Sequence, residues 1–272
     1  MSFEVIVSGG FDDLRSGHLR FLEEASRLGE VTVLLWADGM LREQTGKEPR
    51  LALAERAYLL NAVRYVTRVV PLEGSADPNR LPSSLGSRPA AWVDTEDQAN
   101  AARERFCLSQ GIEYRVLPAA KLAGFPEPTP AAPNPARKKA VVTGCYDWFH
   151  SGHVRFFEEV SAYGDVYAVV GHDENIRLLK GKGHPLFPQA ERRYLVGSVK
   201  YVTQALISSG TGWLDADPEI RRLEPDIYAV NKDGDRGGKR EYCAQLGIEY
   251  LVLERTPAPG LPARTSTGLR GF

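Results

Sequence analysis

One stretch of ten residues decides how this chain folds: Gly144-Cys145-Tyr146-Asp147-Trp148-Phe149-His150-Ser151-Gly152-His153. The apolar run 140–142 precedes it, and residues 154–159 behind it have helical character. The stretch is therefore predicted to contain the end of a buried strand, a short turn and a helix start. A helix N-terminus favours an anion, and the two histidines add imidazoles to it. Because glycine lets the backbone approach a ligand closely, the turn is suited to a reacting phosphate.

The same pattern occurs a second time near the N-terminus. Residues 5–35 align without a gap on residues 140–170, and more than a third of the pairs are identical. The match resumes when residues 65–67 are set against 201–203, and residues 111–114 repeat as 247–250. A repeat of this length corresponds to a domain and not to a solenoid unit. The chain is therefore predicted to contain two copies of one fold.

A proline-rich stretch separates the two copies. Five prolines lie between residues 124 and 135, and this composition is typical of a stiff, extended linker. The sequence thus predicts a first domain over 1–122, a linker over 123–137 and a second domain over 138–272.

Strand and helix patterns alternate in each half, which predicts an α/β fold. We expect two tandem, doubly wound parallel sheets of the Rossmann-like type, with ligands beyond the carboxyl ends of the strands. In the second half the predicted strands are 140–143, 166–170, 201–207, 226–230 and 250–253, and the predicted helices include 154–162, 189–198 and 239–246.

Composition excludes several classes of protein. A net charge of −1 argues against a general nucleic-acid binder, and no apolar run approaches the ~20 residues that span a membrane. The start of the chain lacks the pattern of a signal peptide. Cys107, Cys145 and Cys243 are scattered and odd in number, which predicts neither a disulfide framework nor a metal cluster. We expect a cytoplasmic protein that binds small molecules, without nucleic acid and without membrane insertion.

The motifs of the second half resemble a known family. Asp147, His150, Gly152 and His153 are spaced as in the signature of the HxGH nucleotidyltransferase superfamily. Four segments resemble the cytidylyltransferases that act on phosphoethanolamine, phosphocholine and glycerol phosphate. They are residues 144–147, the lysine loop 180–185, and residues 191–194 and 200–202. Near the C-terminus, residues 255–256 and 264–269 are similar to their Arg-Thr…Ser-Thr-Thr motif, with a longer spacer in this chain. The tandem layout resembles ethanolamine-phosphate cytidylyltransferase, and the lysine loop also resembles the heptose-phosphate adenylyltransferases.

The resemblance implies a reaction. We expect transfer of a nucleotidyl group from CTP to a small phosphorylated alcohol, amino alcohol or polyol, with release of pyrophosphate. An ATP-dependent adenylyl transfer to a sugar phosphate and a non-catalytic nucleotide sensor remain open as alternatives. Mg²⁺ is expected because it shields a triphosphate from its nucleophile. The sequence shows no dedicated protein metal site.

The resemblance also assigns roles to residues. The expected catalytic residues are His150, His153, Lys180 and Thr267. The expected nucleotide-binding residues are Gly144, Cys145, Tyr146, Asp147, Phe149, Gly152, Lys182, Arg192, Asp233, Arg255, Arg264, Thr265 and Ser266. Those expected to bind the acceptor are Asp147, Lys200 and Trp213. Arg192 and Lys200 are predicted to lie on one helix and to face the phosphates.

Several of these residues have a plainer interpretation. The lysine loop can be a solvated loop, and residues 265–267 a polar tail. Trp213 can be a buried indole, and the turn 231–235 can contact ribose or base or be an ordinary polar turn. His172 and His184 are expected to be structural or solvated. Whether Arg255 or Arg264 reaches the triphosphate stays open.

The first copy lacks parts of the set. Arg15 stands where the second copy has His150, Thr45 replaces Lys180, and the Arg-Thr-Ser-Thr motif has no counterpart. Arg56 and Arg64 retain the basic pair of the helix. We therefore predict a weak or inactive first domain with a structural role, paired with the second as an intramolecular pseudo-dimer. Further homo-oligomerisation is left open.

Overall fold

Each half of the chain folds around its own five-stranded parallel sheet. The structure is a computed structural model that describes residues 3–72, 76–86 and 88–269. It divides into two units, Met1–Gly124 and Phe125–Phe272. The sheets confirm the predicted α/β, doubly wound, Rossmann-like fold.

The elements of the first unit follow the predicted alternation. In chain order they are β1 Glu4–Gly9, α1 Ser16–Ser26, β2 Glu30–Trp36, α2 Asp38–Thr45, α3 Leu53–Asn61, β3 Arg68–Leu72, β4 Ala91–Thr95, α4 Ala101–Gln110, β5 Glu113–Leu117 and α5 Ala119–Leu122.

The second unit repeats this order and adds one helix, α9, between its third and fourth strands. Its elements are β6 Lys139–Gly144, α6 Ser151–Ser161, β7 Asp165–Val170, α7 Asp173–Lys180, α8 Gln189–Gly197, β8 Val202–Ile207, α9 Asp217–Leu223, β9 Ile227–Asn231, α10 Lys239–Leu246, β10 Glu249–Leu253 and α11 Ser266–Leu269.

The strand order creates a crevice in each sheet. The orders are β3-β2-β1-β4-β5 and β10-β9-β6-β7-β8, so the chain reverses direction across the sheet beside β1 and β6. Strand β6 pairs with β7 along its whole length, but with β9 only at Ala140 and Val141. Beyond Val141 the two strands are no longer paired, and ligands bind to α/β sheets at such a switch point.

The buried strands of the second unit explain its sheet. Residues 140–142 of β6 and 166–170 of β7 are fully or almost fully buried, as expected for parallel strands that are covered on both faces. Helix α6 packs Phe157 and Val160 into the same core. These contacts place the carboxyl end of β6 and the amino end of α6 side by side.

The predicted elements of the second half match the observed ones to within a few residues, with two differences. Helices α7, α9 and α11 were not among the predicted helices. The helix predicted over 189–198 ends at Gly197, so Lys200 lies beyond its end. The prediction that Arg192 and Lys200 share one helix was therefore wrong.

The proline-rich stretch belongs to the second unit. The backbone N–H of Ala131 donates to the carbonyl of Thr203 (2.8 Å), and Pro128 lies against Gly197. Arg137 forms an ion pair with Asp165 at 2.8 Å. The stretch is thus held along the second unit by these contacts.

A buried arginine fixes the turn between β6 and α6. Arg192 is 1% exposed, and its guanidinium donates to the carbonyls of Phe187 (2.9 Å), Cys145 (2.6 Å) and Gly171 (2.8 Å). It also donates to a carboxylate oxygen of Asp173 at 2.7 Å. These partners follow β6 and β7 and begin α7, so one side chain holds three segments in register. Arg192 is therefore a structural residue at this position.

The first unit contains the same arrangement. Arg56 is fully buried and donates to the carbonyls of Leu51 (3.0 Å), Gly10 (2.6 Å) and Trp36 (2.8 Å), and to the carboxylate of Asp38 (2.6 Å). Arg56 and Arg192, which align in the two copies, therefore make the same structural contacts.

Replacing Arg192 by leucine should destabilise the second unit by about 3–5 kcal/mol, because three buried carbonyls and a carboxylate lose their donor. The measurement is the free energy of unfolding in urea. Arg177→Leu, at an exposed position of α7, is the control and should change it by less than about 0.5 kcal/mol. Equal stability of the two variants would contradict the structural role.

Candidate active site

A cavity of about 720 Å³ opens at the carboxyl ends of β6 and β9. It lies at the switch point of the second sheet, where the sequence placed the site. Twelve of the predicted site residues line it: Gly144, Cys145, Tyr146, Asp147, His150, Gly152, His153, Lys180, Asp233, Arg255, Thr265 and Ser266.

The two histidines present unpaired ring nitrogens to this cavity. His150 caps α6, because its Nδ1 accepts from the backbone N–H of Gly152 at 3.1 Å. A neutral ring whose Nδ1 accepts carries its proton on Nε2. Within the part of the chain that the structure describes, Nε2 of His150 and Nδ1 of His153 are buried and have no partner. Since buried polar atoms are normally paired, both nitrogens are available to a ligand.

Close packing fixes the two rings. They stack with their centroids 4.0 Å apart. A β-carbon at position 152 would come within 2.9 Å of the His150 ring, so only glycine leaves room for it. Phe149 stacks on the other side of His153, with centroids 5.5 Å apart. Phe149 was predicted to bind nucleotide, but it lies outside the cavity lining and packs against the ring of His153.

Both histidines are neutral at pH 7. Burial, followed by the fields of Arg255 and Arg264, lowers the pKa of His150 to about 4. Burial, then His150, Arg255 and Lys180, lowers the pKa of His153 well below its ordinary value. An entering phosphate opposes these effects, because an opposite charge favours the protonated ring. The site therefore combines neutral donors with nearby cations.

Asp147 lines the cavity, but its carboxylate is occupied. Its Oδ1 accepts from the backbone N–H groups of Leu186 (2.8 Å) and Phe187 (3.0 Å). In the first unit, Asp12 accepts in the same way from the N–H groups of Arg50 and Leu51. This aspartate thus anchors the lysine loop to the turn between β6 and α6, called the histidine turn below. The sequence predicted that Asp147 contacts nucleotide and acceptor directly.

The lysine loop contributes one of its two lysines. Lys180 is the last residue of α7 and lines the cavity. Lys182 is exposed and lies outside the cavity lining. His184 lines the cavity, with Nδ1 3.9 Å from Oδ2 of Asp147. Its sequence position alone did not single it out, because a lone histidine in a loop is usually solvated.

The two candidate arginines have different positions. Arg255 lines the main cavity, has a left-handed backbone (φ 56°) and pairs with Asp233. Its guanidinium also donates to the carbonyl of Arg264 at 3.3 Å. Arg264 lines a neighbouring cavity of about 260 Å³, which shares Arg255 and Thr265 with the main one. The eight-residue spacer between the arginines, 256–263, thus forms a second, adjoining cavity.

The final motif lies over the histidine turn. Thr265 accepts from the N–H of Gly268 at 3.1 Å, and the hydroxyl of Ser266 donates to the carbonyl of Trp148 at 3.2 Å. These contacts tie α11 to the start of α6. Thr267 belongs to α11, but its side chain lies outside the described part of the chain, so its predicted catalytic role stays a prediction.

Two of the residues predicted to bind the acceptor lie apart from the cavity lining. Lys200 lies past the end of α8, with its ammonium 5.4 Å from the centre of the Tyr201 ring. Trp213 is 54% exposed and lies beside Gly237 and Gly238, so it is not a buried indole.

Sequence reasoning missed several lining residues. Trp148, His184 and Lys239 were not assigned a role in the site, and Asn231 was placed only in a turn of undecided function. Oδ1 of Asn231 is buried and has no partner within the described part of the chain. The position of Asn231 directly after a buried strand was the available signal, because such positions face the crevice.

Two kinds of feature are missing from residues 3–72, 76–86 and 88–269. Those residues contain no group of three or more His, Cys, Asp or Glu side chains that could hold a metal ion. Nor do they form a helix that is long and apolar enough to cross a membrane.

The chain is similar to known nucleotidyltransferases. Residues 141–256 match the family described as cytidylyltransferase-like. An FAD synthase from Ferroglobus placidus is 34% identical over 119 residues, which are 43% of this chain and 74% of that protein. An FAD synthase from Methanocella paludicola is 30% identical over 135 residues, covering 48% of this chain and 93% of that protein. The chain therefore belongs to the cytidylyltransferase-like family of the nucleotidyltransferase superfamily, as its motifs predicted.

A third relative covers both halves of the chain. The bifunctional protein HldE of Desulfatibacillum aliphaticivorans is 29% identical over 248 residues, or 85% of this chain. The match spans 49% of that protein, so the chain spans about half the length of HldE.

His150→Asn should make stability less sensitive to acid. The folded-state pKa of His150 is about 4, against 6.5 for a free histidine, so at pH 5.5 the unfolded chain binds a proton that the folded one does not. Stability is therefore lost as pH falls from 6.5 towards 4. Between pH 7.5 and 5.5 wild type should lose about 1.3 kcal/mol more than the variant, whose asparagine keeps the cap. Unfolding in urea at both pH values measures this, and equal losses would contradict it.

Proposed function

We propose that the second unit transfers a nucleotidyl group from a nucleoside triphosphate to the phosphate of a small phosphorylated acceptor and releases pyrophosphate. The observation that carries this proposal is the pair of buried, unpartnered imidazole nitrogens of His150 and His153 at the N-terminus of α6. Lys180 and Arg255 add positive charge to the same cavity. Neutral donors, cations and a helix N-terminus together suit the oxygens of a reacting phosphate.

In the proposed reaction, a phosphate oxygen of the acceptor attacks the α-phosphorus and forms the new P–O bond. The bond from the α-phosphorus to the bridging oxygen breaks, and pyrophosphate leaves with that electron pair. Such a transfer requires positioning and stabilisation of charge, with little covalent chemistry from the protein. The Nε2–H of His150 donates to a non-bridging oxygen, and His153 acts beside it. Lys180 neutralises charge on the phosphates from the end of α7.

The leaving pyrophosphate is assigned to the side of the cavity that α11 covers. Arg255 supplies positive charge there, and the hydroxyls of Thr265 and Ser266 lie at the same wall. Arg264 lines the adjoining cavity and acts through its field on His150. Of the two arginines, we therefore assign the direct contact with the triphosphate to Arg255.

Mg²⁺ is proposed as the companion of the triphosphate. The two carboxylates of the cavity are engaged, because Asp147 accepts from backbone N–H groups and Asp233 pairs with Arg255. Phosphate oxygens and water are accordingly the proposed ligands of the ion, as is usual for magnesium bound with a nucleotide. When bound, the ion neutralises phosphate charge.

ATP is the proposed nucleotide donor, and CTP is the second candidate. Two relatives are named FAD synthase, and FAD contains an adenine nucleotide, which favours adenylyl transfer. The family description and the motif at residues 144–147 favour cytidylyl transfer. The acceptor class remains a phosphorylated alcohol, amino alcohol or polyol, with a sugar phosphate as the variant that accompanies ATP.

The first unit is proposed to be weak or inactive. Arg15 replaces the first histidine and forms an ion pair with Asp13 at 2.8 Å. Nδ1 of His18 accepts from the backbone N–H of Arg15 at 3.2 Å, whereas the equivalent atom of the second unit is unpartnered. The ring nitrogen that would meet a phosphate is thus already used.

Pyrophosphate release tests the reaction. ATP and CTP, each with Mg²⁺, are offered with a panel of phosphorylated alcohols, amino alcohols, polyols and sugars. We expect release with at least one pair, and more with ATP than with CTP. If no pair releases pyrophosphate above the rate without enzyme, the proposed function is wrong.

His150→Asn should lower kcat/KM for pyrophosphate release by roughly 10²-fold, because the helix cap is kept while the Nε2–H donor is lost. His18→Asn, which removes the histidine that the first unit retains in the corresponding turn, should leave the rate within about twofold. An active His150→Asn enzyme would end the assignment of this histidine, and a strong loss in His18→Asn would show that the first unit takes part.

A further inference from the structure

Lys239 is a cation of the main cavity that the proposed reaction does not use. It is the first residue of α10 and is partly buried at the cavity wall. Its ammonium donates to the carbonyl of Gly234 at 2.8 Å, and an ammonium has three N–H donors. Burial lowers the pKa of this lysine, because the partly buried ammonium has lost part of its contact with water. A partly buried charge of this kind is costly unless something compensates for it.

The first unit shows what a compensated cation looks like at this position. Arg103 lies eight residues before Gly111, which ends α4, as Lys239 lies eight residues before Gly247, which ends α10. Arg103 forms an ion pair with Asp94, a fully buried residue of β4. In the first unit, therefore, the positive charge is neutralised inside the protein.

The second unit lacks that carboxylate. Strands β4 and β9 correspond residue by residue, so Val230 stands where the first unit has Asp94. Asp235 and Asp233 act on Lys239 through their fields, but Asp233 pairs with Arg255 and Asp235 accepts from Tyr250. The two units can thus be compared at this position. The first has a buried ion pair, and the second has a cation at the wall of the cavity.

The geometry of the reaction gives this cation a partner. In an in-line transfer, the attacking and leaving oxygens lie on opposite sides of the α-phosphorus, and the nucleoside projects to a third side. In the proposed reaction, Lys180 and Arg255 are assigned to phosphate oxygens. Another part of the cavity wall is formed by the carboxyl end of β9 and the start of α10, with Asn231, Gly234 and Lys239, and it carries none of the groups assigned to the phosphates.

We propose that Lys239 recognises the nucleotide by donating a hydrogen bond from its ammonium to an acceptor atom of the nucleoside. This inference rests on the proposed function, because it assumes that the cavity binds a nucleoside triphosphate. Lys239 is then a specificity-determining residue of the site, and Asn231 lies beside it with an unpartnered amide oxygen.

Equilibrium binding without acceptor tests the proposal directly, since no turnover occurs. Calorimetry with ATP and with CTP, in the presence of Mg²⁺, gives Kd for the full-length chain and its variants. Lys239→Met should weaken binding of the preferred nucleotide by about tenfold or more, the scale of a lost hydrogen bond from a charged group. Arg240→Met removes the same charge from the neighbouring exposed position and should stay within about twofold. Lys239→Arg should recover most of the affinity.

The outcomes separate this proposal from the proposed function. If Lys239→Met binds nucleotide as tightly as Arg240→Met, the role of Lys239 is wrong while nucleotidyl transfer stands. If its nucleotide affinity is unchanged but KM for the acceptor rises, the lysine faces the acceptor and the proposal is equally overturned. If wild type binds nucleotide but releases no pyrophosphate with any acceptor, the proposed function fails and binding still decides on Lys239. If wild type binds neither nucleotide, both fail.

Discussion

The buried guanidinium of Arg192 is the contact on which the second unit's site depends. It donates to carbonyls that follow β6 and β7 and to the acid that begins α7, all without contact to solvent. A charge buried this deeply is tolerated because each of its three nitrogens donates to a carbonyl or carboxylate oxygen. Because the arginine fixes the carboxyl end of β6, it also fixes where α6 starts and where His150 and His153 point.

The duplicated chain separates the framework from the chemistry. The first unit keeps the buried arginine as Arg56 and the loop anchor as Asp12, with the same backbone partners. It keeps His18 but not the other histidine of the pair, whose place Arg15 takes in an ion pair with Asp13. The residues that build the turn are therefore shared, whereas one of the two histidines at the cavity is not.

The electrostatics of the cavity suit a polyanion. Two neutral imidazoles lie within the fields of Lys180, Arg255 and Arg264, so positive potential accumulates where no carboxylate is free. Such a site is arranged before the ligand arrives, and preorganised charge of this kind costs no reorganisation during the reaction. The unusual spacer between the arginines adds a second cavity beside the first and leaves this arrangement intact.

Patterns local in the chain determined much of this protein: the sheet strands, the strand–turn–helix at residues 144–153, the duplication and the family were all read from periodicity and motifs. Only the tertiary structure showed the contacts of Arg192 and Phe149 and the position of Lys239 at the cavity wall. From its position after the lysine loop, Arg192 was predicted to bind the nucleotide. The folded sheet instead places its guanidinium against carbonyls that follow two neighbouring strands. Likewise, the contrast between Lys239 and the paired cation of the first unit depends on Val230, a residue of β9 that stands where the first unit has a carboxylate. Sequence periodicity reports which face a side chain occupies, but its partners come from distant segments that only the packed sheet brings together.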